Sequence, residues 1–186
     1  AVSGQTYESY PLYLTALAYI KKAAALANAE TGAIPKRVSN AICQAADEVI
    51  AGKLKGMFPV DVFCGSVSVH MNMNEVLANR ANEILTGHKG SELVHPNTHV
   101  NCGQSTNDVV PSAIALSCYM YFDGLIAVLE ELSETLERKA AAFSDVVKVA
   151  RTCLQDAVPI TLGQEISGYH ALIERQLCCC RSMQAD

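Results

Sequence analysis

Several marks of a specialised chain are missing from this sequence, and each absence removes a class of function. Positive charge is sparse and scattered, 14 Lys and Arg against 19 Asp and Glu, for a formal net charge of −5. There is no basic stripe and no aromatic platform, with aromatics at 6% and no tryptophan. Nucleic acid is therefore offered neither a phosphate track nor a stacking surface. No apolar run is expected to reach the length of a membrane span, and no charged-then-apolar leader opens the chain, so a soluble protein with no membrane partner is expected. The 8 cysteines include no C-x-x-C pair and no spaced Cys/His quartet. They fall singly in helical patterns, as Cys43 and Cys118 do, or in the triplet Cys178-Cys179-Cys180, whose side chains diverge on a helix. Reduced thiols in a cytoplasmic protein, with no metal site, follow. A βαβ alternation and a Gly-rich phosphate loop are both lacking, which disfavours a nucleotide-binding α/β fold.

What is present is helical periodicity in a chain of 186 residues, half of them hydrophobic, enough for one domain or one and part of a second. Residues 1–10 read as an extended lead-in. Residues 12–29 carry apolar positions at helical spacing (Leu14, Leu17, Ala18, Ala24, Ala25) and stop at Gly32. Pro35 opens a second helix with Val38, Ile42, Ala45, Ala46, Val49 and Ile50 on one face, and the two form an antiparallel pair. Residues 58–63 are extended between glycines. Asn72 or Asn74 caps a helix running to Leu85, and residues 88–104 are connection. Pro111 is tolerable only in a first turn, which starts the longest helix near Asp108. It continues to about residue 142, with Leu125, Val128, Leu129, Leu132 and Leu136 opposite Glu130, Glu131, Glu134 and Glu137. Residues 146–150 are a short extended piece. A last helix from Gly163 has the stripe Ile166, Tyr169, His170, Ile173 and Leu177. Ala1 in place of Met, and an end inside that pattern, suggest a fragment. The fold class is mostly α, with an N-terminal helical domain over residues 1–104, the start of a long-helix bundle domain over 105–186, and a few short extended segments.

The chemistry concentrates at residues 95–108, where Asn97, Thr98, Asn101, Gln104, Ser105, Thr106, Asn107 and Asp108 stand at the mouth of the long helix. Hydroxyls and amides there cap orphan N–H groups, and the helix dipole favours an anion, so the place suits a carboxylate or phosphate.

Gly103-Gln104-Ser105-Thr106-Asn107-Asp108 resembles the first substrate loop of the fumarase/aspartase superfamily. Two further blocks stand in that family's order and spacing, one beginning Met71-Asn72-Met73-Asn74-Glu75, the other Arg151-Thr152-Cys153-Leu154-Gln155-Asp156. The resemblance implies elimination of water, ammonia or an amine from a small dicarboxylate, mostly releasing fumarate, with no cofactor. It implies a homo-oligomer, a tetramer in the family, built on long central helices. Ser105, Thr106 and Asn107 would bind the substrate carboxylate and leaving-group end while also capping the helix, and Thr152 would contact substrate.

Departures from the family pattern qualify this. Cys153 stands where the family has a histidine that assists proton transfer or orients substrate. A thiol is a poor donor and cannot carry the imidazolium charge, so weakened catalysis is expected. Val67 replaces a substrate-facing threonine and His70 an asparagine; a lone histidine there reads as exposed or structural, or as a replacement cation. His95 and Asn97 resemble a secondary dicarboxylate site, but Leu93 and Thr98 stand where arginine and aspartate are expected. The family's flexible loop with its serine base has no counterpart in these residues, so the chain by itself is expected to be inactive. Gln104 to Asn107 and Asp156 to Pro159 lean towards aspartate ammonia-lyases; Met71 to Leu77 and Glu165 to Tyr169 lean towards class II fumarate hydratases. Aspartate ammonia-lyase is preferred. A class II fumarate hydratase and an inactive paralogue or truncated assembly subunit stay open.

Overall fold

A computed structural model describes residues 3–64 and 66–185, and of residues 66–68 the backbone alone. About 68% of the chain is helical, and the one sheet among the described residues is a two-stranded hairpin. The mostly-α expectation holds. Two compact units emerge, Ala1–Cys118 and Tyr119–Asp186.

In the first unit α1 (Pro11–Glu30) and α2 (Lys36–Ile50) form a helical hairpin. Leu14, Leu17, Ala18, Lys21 and Ala25 make the buried stripe of α1; Val38, Ile42, Ala45, Ala46 and Val49 make that of α2. The contacts run antiparallel. Ser39 Oγ donates to the Ala25 carbonyl at 2.8 Å, and Lys22 Nζ pairs with Asp47 at 2.6 Å. Gly32, at φ +77, supplies the left-handed turn after α1, and Pro35 at the N-cap of α2 has the fixed φ of −63 that a helix start accepts. The lead-in is less extended than expected. Tyr7–Ser9 form a 3-10 turn, and Thr6 bridges Asp61, whose carboxylate accepts from the Ser3 and Gly4 amides.

Helix α3 spans Ser66–Thr86, so Asn72 and Asn74 lie inside it and neither is its cap. Burial overrides their weak helix preference, Asn74 being fully enclosed. The expected loss of a donor at Val67 concerns a side chain outside the described residues. After α3 the chain is folded around Asn82. Its Nδ2 donates to the carbonyls of Ala78, Gly90 and Val94, and its Oδ1 accepts from the amides of Leu93 and Val94. A single π-helical turn, Pro96–Val100, then leads to α4.

Helix α4 is Thr106–Ala142, 37 residues, crossing from the first unit into the second. Pro111 is its sixth residue, in the second turn rather than the first. It removes one N–H and frees the Asn107 carbonyl from its usual partner, a loss that the rest of a 37-residue helix absorbs. The expectation about apolar runs also needs correction. Helix α4 contains an 18-residue window apolar enough, by length and composition, to cross a bilayer. Isolated serines and Asp123 break its runs without lowering the average, and the pattern suits a bundle helix equally.

In the second unit β1 (Val147–Thr152) and β2 (Gln155–Thr161) pair antiparallel, with a bulge between Val149 and Arg151. The first strand was expected; the second was not, because Pro159 and the exposed polar residues mask its alternation. Helix α5 (Leu162–Ala185) lies antiparallel to the second half of α4. Ser133 bonds Glu174, Arg181 bonds Glu130 and Gln184 bonds Asp123. Leu177 is buried as expected, but Tyr169 is 54% exposed. Gly163 is required by close approach, since a Cβ there would press into the Ala140 carbonyl and the Ser144 backbone.

Replacing Asn82 with alanine orphans the buried Val94 amide and the part-buried Leu93 amide and leaves three carbonyls without their side-chain donor. The expected cost is about 3 kcal/mol of unfolding free energy in urea titration, with the fold otherwise retained by circular dichroism.

Candidate functional site

A lysine on an apolar helix face must find partners or lose its charge. Lys21 lies three and four residues from Ala18 and Leu17 and is fully buried. Among the described residues its Nζ has three polar neighbours: His70 Nε2 at 2.6 Å, Gln104 Oε1 at 2.9 Å and Asn101 Oδ1 at 3.0 Å. The amide orientations follow from their other bonds. Gln104 Nε2 donates to the Val100 carbonyl at 2.8 Å, and Asn101 Nδ2 to the Gln104 carbonyl at 3.3 Å, which turns both amide oxygens towards Lys21. Two turns further along α1, Asn28 Nδ2 donates to the Cys102 carbonyl at 2.8 Å. One face of α1 therefore grips residues 101–104 at two points. Between them Gly103, at φ +66, makes the turn.

His70, brought by α3, is also fully buried, and its Nδ1 lies 3.0 Å from Thr106 Oγ1. A continuous chain thus runs from Lys21 through His70 to the first residue of α4. Burial and then the Lys21 charge, partly offset by Asn101, push the His70 imidazole down to about 4. Burial pushes the Lys21 ammonium down to about 7. No carboxylate contributes to either shift.

At the mouth of α4, Ser105 and Asn107 are exposed and flank the half-buried Thr106. Ser105 Oγ accepts from the Asn107 backbone amide at 3.1 Å, so the capping role expected of this stretch is present. The positive end of a 37-residue helix dipole lies behind them.

The remaining candidates are placed as follows. His95 caps the π-helical turn, its Nδ1 accepting from the Asn97 and Thr98 amides at 3.2 Å, and both His95 and Asn97 are exposed. Thr152 and Cys153 belong to the second unit. Thr152 is the last residue of β1 and pairs with Gln155; Cys153 and Leu154 form the two-residue tip, at φ 49 and 63. Both tip residues are left-handed without being glycine, a strain of about 1–2 kcal/mol each held beside Thr152. Leu154 is 93% exposed, which adds an apolar side chain in water to that strain. A separate hollow of about 650 Å³, lined by Glu48, Lys53, Met57, Arg80 and Glu83 among others, shares no residue with the Lys21 cluster.

Sequence reading missed Lys21 and read His70 as exposed or structural, or as a replacement cation; it is buried, and burial with the Lys21 charge beside it disfavours the cationic form. The signal for Lys21 was a cation in register with Leu14, Leu17, Ala18 and Ala25. Nothing local marks His70 as its partner.

A hydroxyl- and amide-lined helix mouth, gripped from behind by a buried cation, is an arrangement for holding a small carboxylate. Comparison with known proteins identifies the family. The model of a family described as Lyase matches residues 2–184, and the chain belongs to that family, within the fumarase/aspartase superfamily. It is 49% identical over 180 residues to a class II fumarate hydratase of Nitrosomonas europaea, covering 95% of this chain and 38% of the relative. It is 45% identical over 172 residues to an aspartate ammonia-lyase of Helicobacter pylori, covering 91% and 37%. Among solved structures, a fumarate lyase:delta crystallin from Brucella melitensis bound to cobalt superposes with a TM-score of 0.87 at 40% identity, over 100% of this chain and 41% of that one. The chain spans less than two fifths of the length of the curated relatives quoted.

Both pKa shifts mean that the unfolded chain holds more protons than the folded one, for His70 between pH 4 and 6.5. Stability from this group is present above 6.5 and lost as pH falls towards 4. Relative to a His70→Asn variant, the native chain is expected to lose roughly 3 kcal/mol over that window, measured as the difference between their urea-unfolding free energies at each pH.

Proposed function

We propose that this chain carries the first carboxylate-binding element of a lyase that eliminates ammonia from aspartate and releases fumarate. The carrying observation is the run Ser105-Thr106-Asn107 at the N-terminus of α4, its middle hydroxyl tied to a fully buried histidine. In such an elimination a base takes the C3 proton, the C3–H electrons move first into the adjacent carboxylate, and the C2–N bond then breaks to leave the double bond. Charge peaks on that carboxylate. Fixed donors strengthen as it grows and need no rearrangement, which is why hydroxyls, an amide and a helix terminus suit the task. Asp108, in the first turn, opposes an anion slightly.

Thr152 is assigned to substrate by resemblance. Cys153 supplies no imidazolium, so proton transfer at that position is weakened. The base that takes the C3 proton is assigned to no residue of this chain. The relatives include fumarate hydratases and an aspartate ammonia-lyase at similar identity. The ammonia reading rests on Gln104 to Asn107 and Asp156 to Pro159; the Met71 to Leu77 and Glu165 to Tyr169 blocks favour water from malate. The same proposal makes the protein a cytoplasmic homotetramer, in which neighbouring subunits cover exposed apolar side chains of α4 such as Ile114, Leu125 and Val128.

The test mixes this chain with a full-length lyase of the family inactivated at its own counterparts of Ser105, Thr106 and Asn107. Fumarate absorbance is expected to rise with aspartate, and a Thr106→Val change in this chain is expected to cut the restored rate by about a hundredfold. Fumarate from malate alone would make the protein a hydratase; none from either substrate would make it an inactive paralogue. In the same mixture Cys153→His is expected to raise the rate at least about tenfold.

A further inference from the structure

Nothing in the sequence pattern accounts for a lysine and a histidine in contact, both fully buried, directly behind the proposed carboxylate site. We propose that Lys21, acting through His70, sets which way the Thr106 hydroxyl points its hydrogen, and so gates the helix mouth for a dicarboxylate. The inference rests on the carboxylate reading of that mouth and names two positioning residues for it.

The argument follows from donor counting. Asn101 Oδ1 and Gln104 Oε1 both accept from Lys21 Nζ, which uses two of its hydrogens. An ammonium has a third, and among the described residues the partner for it is His70 Nε2. An imidazole that accepts at Nε2 carries its own proton on Nδ1 and donates it to Thr106 Oγ1. With its oxygen engaged as an acceptor, Thr106 keeps its O–H free to donate outward to an anion.

A neutral amine at Lys21 reverses every link. It still gives two hydrogens to the amide oxygens but presents a lone pair to His70. Nε2 then carries the proton and donates to Nζ, and Nδ1 accepts from Thr106. The Thr106 hydrogen is turned inward and the anion loses it. The interconversion balances as a relay. The Nζ–H bond breaks as Nε2–H forms, Nδ1 passes its proton to Thr106 Oγ1, and the outward Thr106 proton leaves to water. One proton is released in all.

Among the described residues, the groups facing this chain are few. Lys21 comes from α1, His70 from α3, Asn101 and Gln104 from the connecting loop and Thr106 from α4. His99, in the adjoining turn, bonds instead to the His95 amide through its Nδ1. Burial lowers the Lys21 pKa, which brings the release into an accessible range. A carboxylate bound at the mouth favours the outward hydrogen, so it raises the pH at which the relay reverses.

The test follows imidazole nitrogen shifts of the whole chain by NMR, with succinate as the probe. The Nδ1–H tautomer of His70 is expected at about pH 6, the Nε2–H tautomer at about pH 9. Succinate is expected to shift the Ser105, Thr106 and Asn107 amides, to bind at least tenfold more weakly at the higher pH, and to hold the Nδ1–H form to higher pH. A Lys21→Met variant is expected to abolish the pH dependence of binding. Should that variant not fold, the native tautomer titration and its succinate dependence decide alone. His70 carrying Nε2–H or two protons at about pH 6, or succinate binding equally at both pH values, would overturn the relay while leaving the carboxylate site standing. Absence of succinate binding at any pH would overturn the carboxylate site itself.

Discussion

An ammonium group buried in the protein interior governs the first unit. Lys21 can keep its charge inside the hairpin of α1 and α2 only if acceptors surround it, and those acceptors come from distant parts of the chain. Satisfying it draws α3 and the loop at residues 101–104 against α1. The loop in turn delivers Ser105, Thr106 and Asn107 to the start of α4. The same buried charge that fixes the loop thus stands behind the proposed substrate contact, so that stability and the proposed function would share one set of hydrogen bonds.

The second unit solves a different problem with less burial. Its hairpin is exposed along most of both strands, and its tip holds two non-glycine residues in left-handed conformation. Strain of that kind persists where surrounding structure holds it and where a side chain must be presented at a set angle. Thr152 is adjacent to that tip, and Cys153 occupies it. The departure from histidine at residue 153 therefore falls at a position whose backbone is constrained, which limits what a substituted side chain can reach.

Departures from the family pattern acquire meaning only in pairs. His70, taken alone, is a lost asparagine. Beside Lys21 it becomes a ring whose two nitrogens are both engaged, one by a cation and one by a hydroxyl. An asparagine side chain is shorter and has no pair of nitrogens on opposite edges, so it could not link the same two groups in one line.

The sequence by itself determined the helical class, the approximate extent of α1, α2 and α5, the polar character of the helix mouth and membership of the superfamily. Each of these depends on local periodicity, on capping residues such as Ser105, or on contiguous motifs, all of which are one-dimensional. It misplaced the starts of α3 and α4, because Asn72, Asn74 and Pro111 obey capping and proline rules only until packing energy over many residues outweighs them. It did not show β2, whose alternation is blurred by exposure on both faces. Tertiary structure alone decided that Lys21 meets His70, residues 49 apart, and that both lie behind Thr106. That meeting is set by how three helices pack, since the partners of a buried charge are chosen in space and leave no mark on neighbouring positions in the chain.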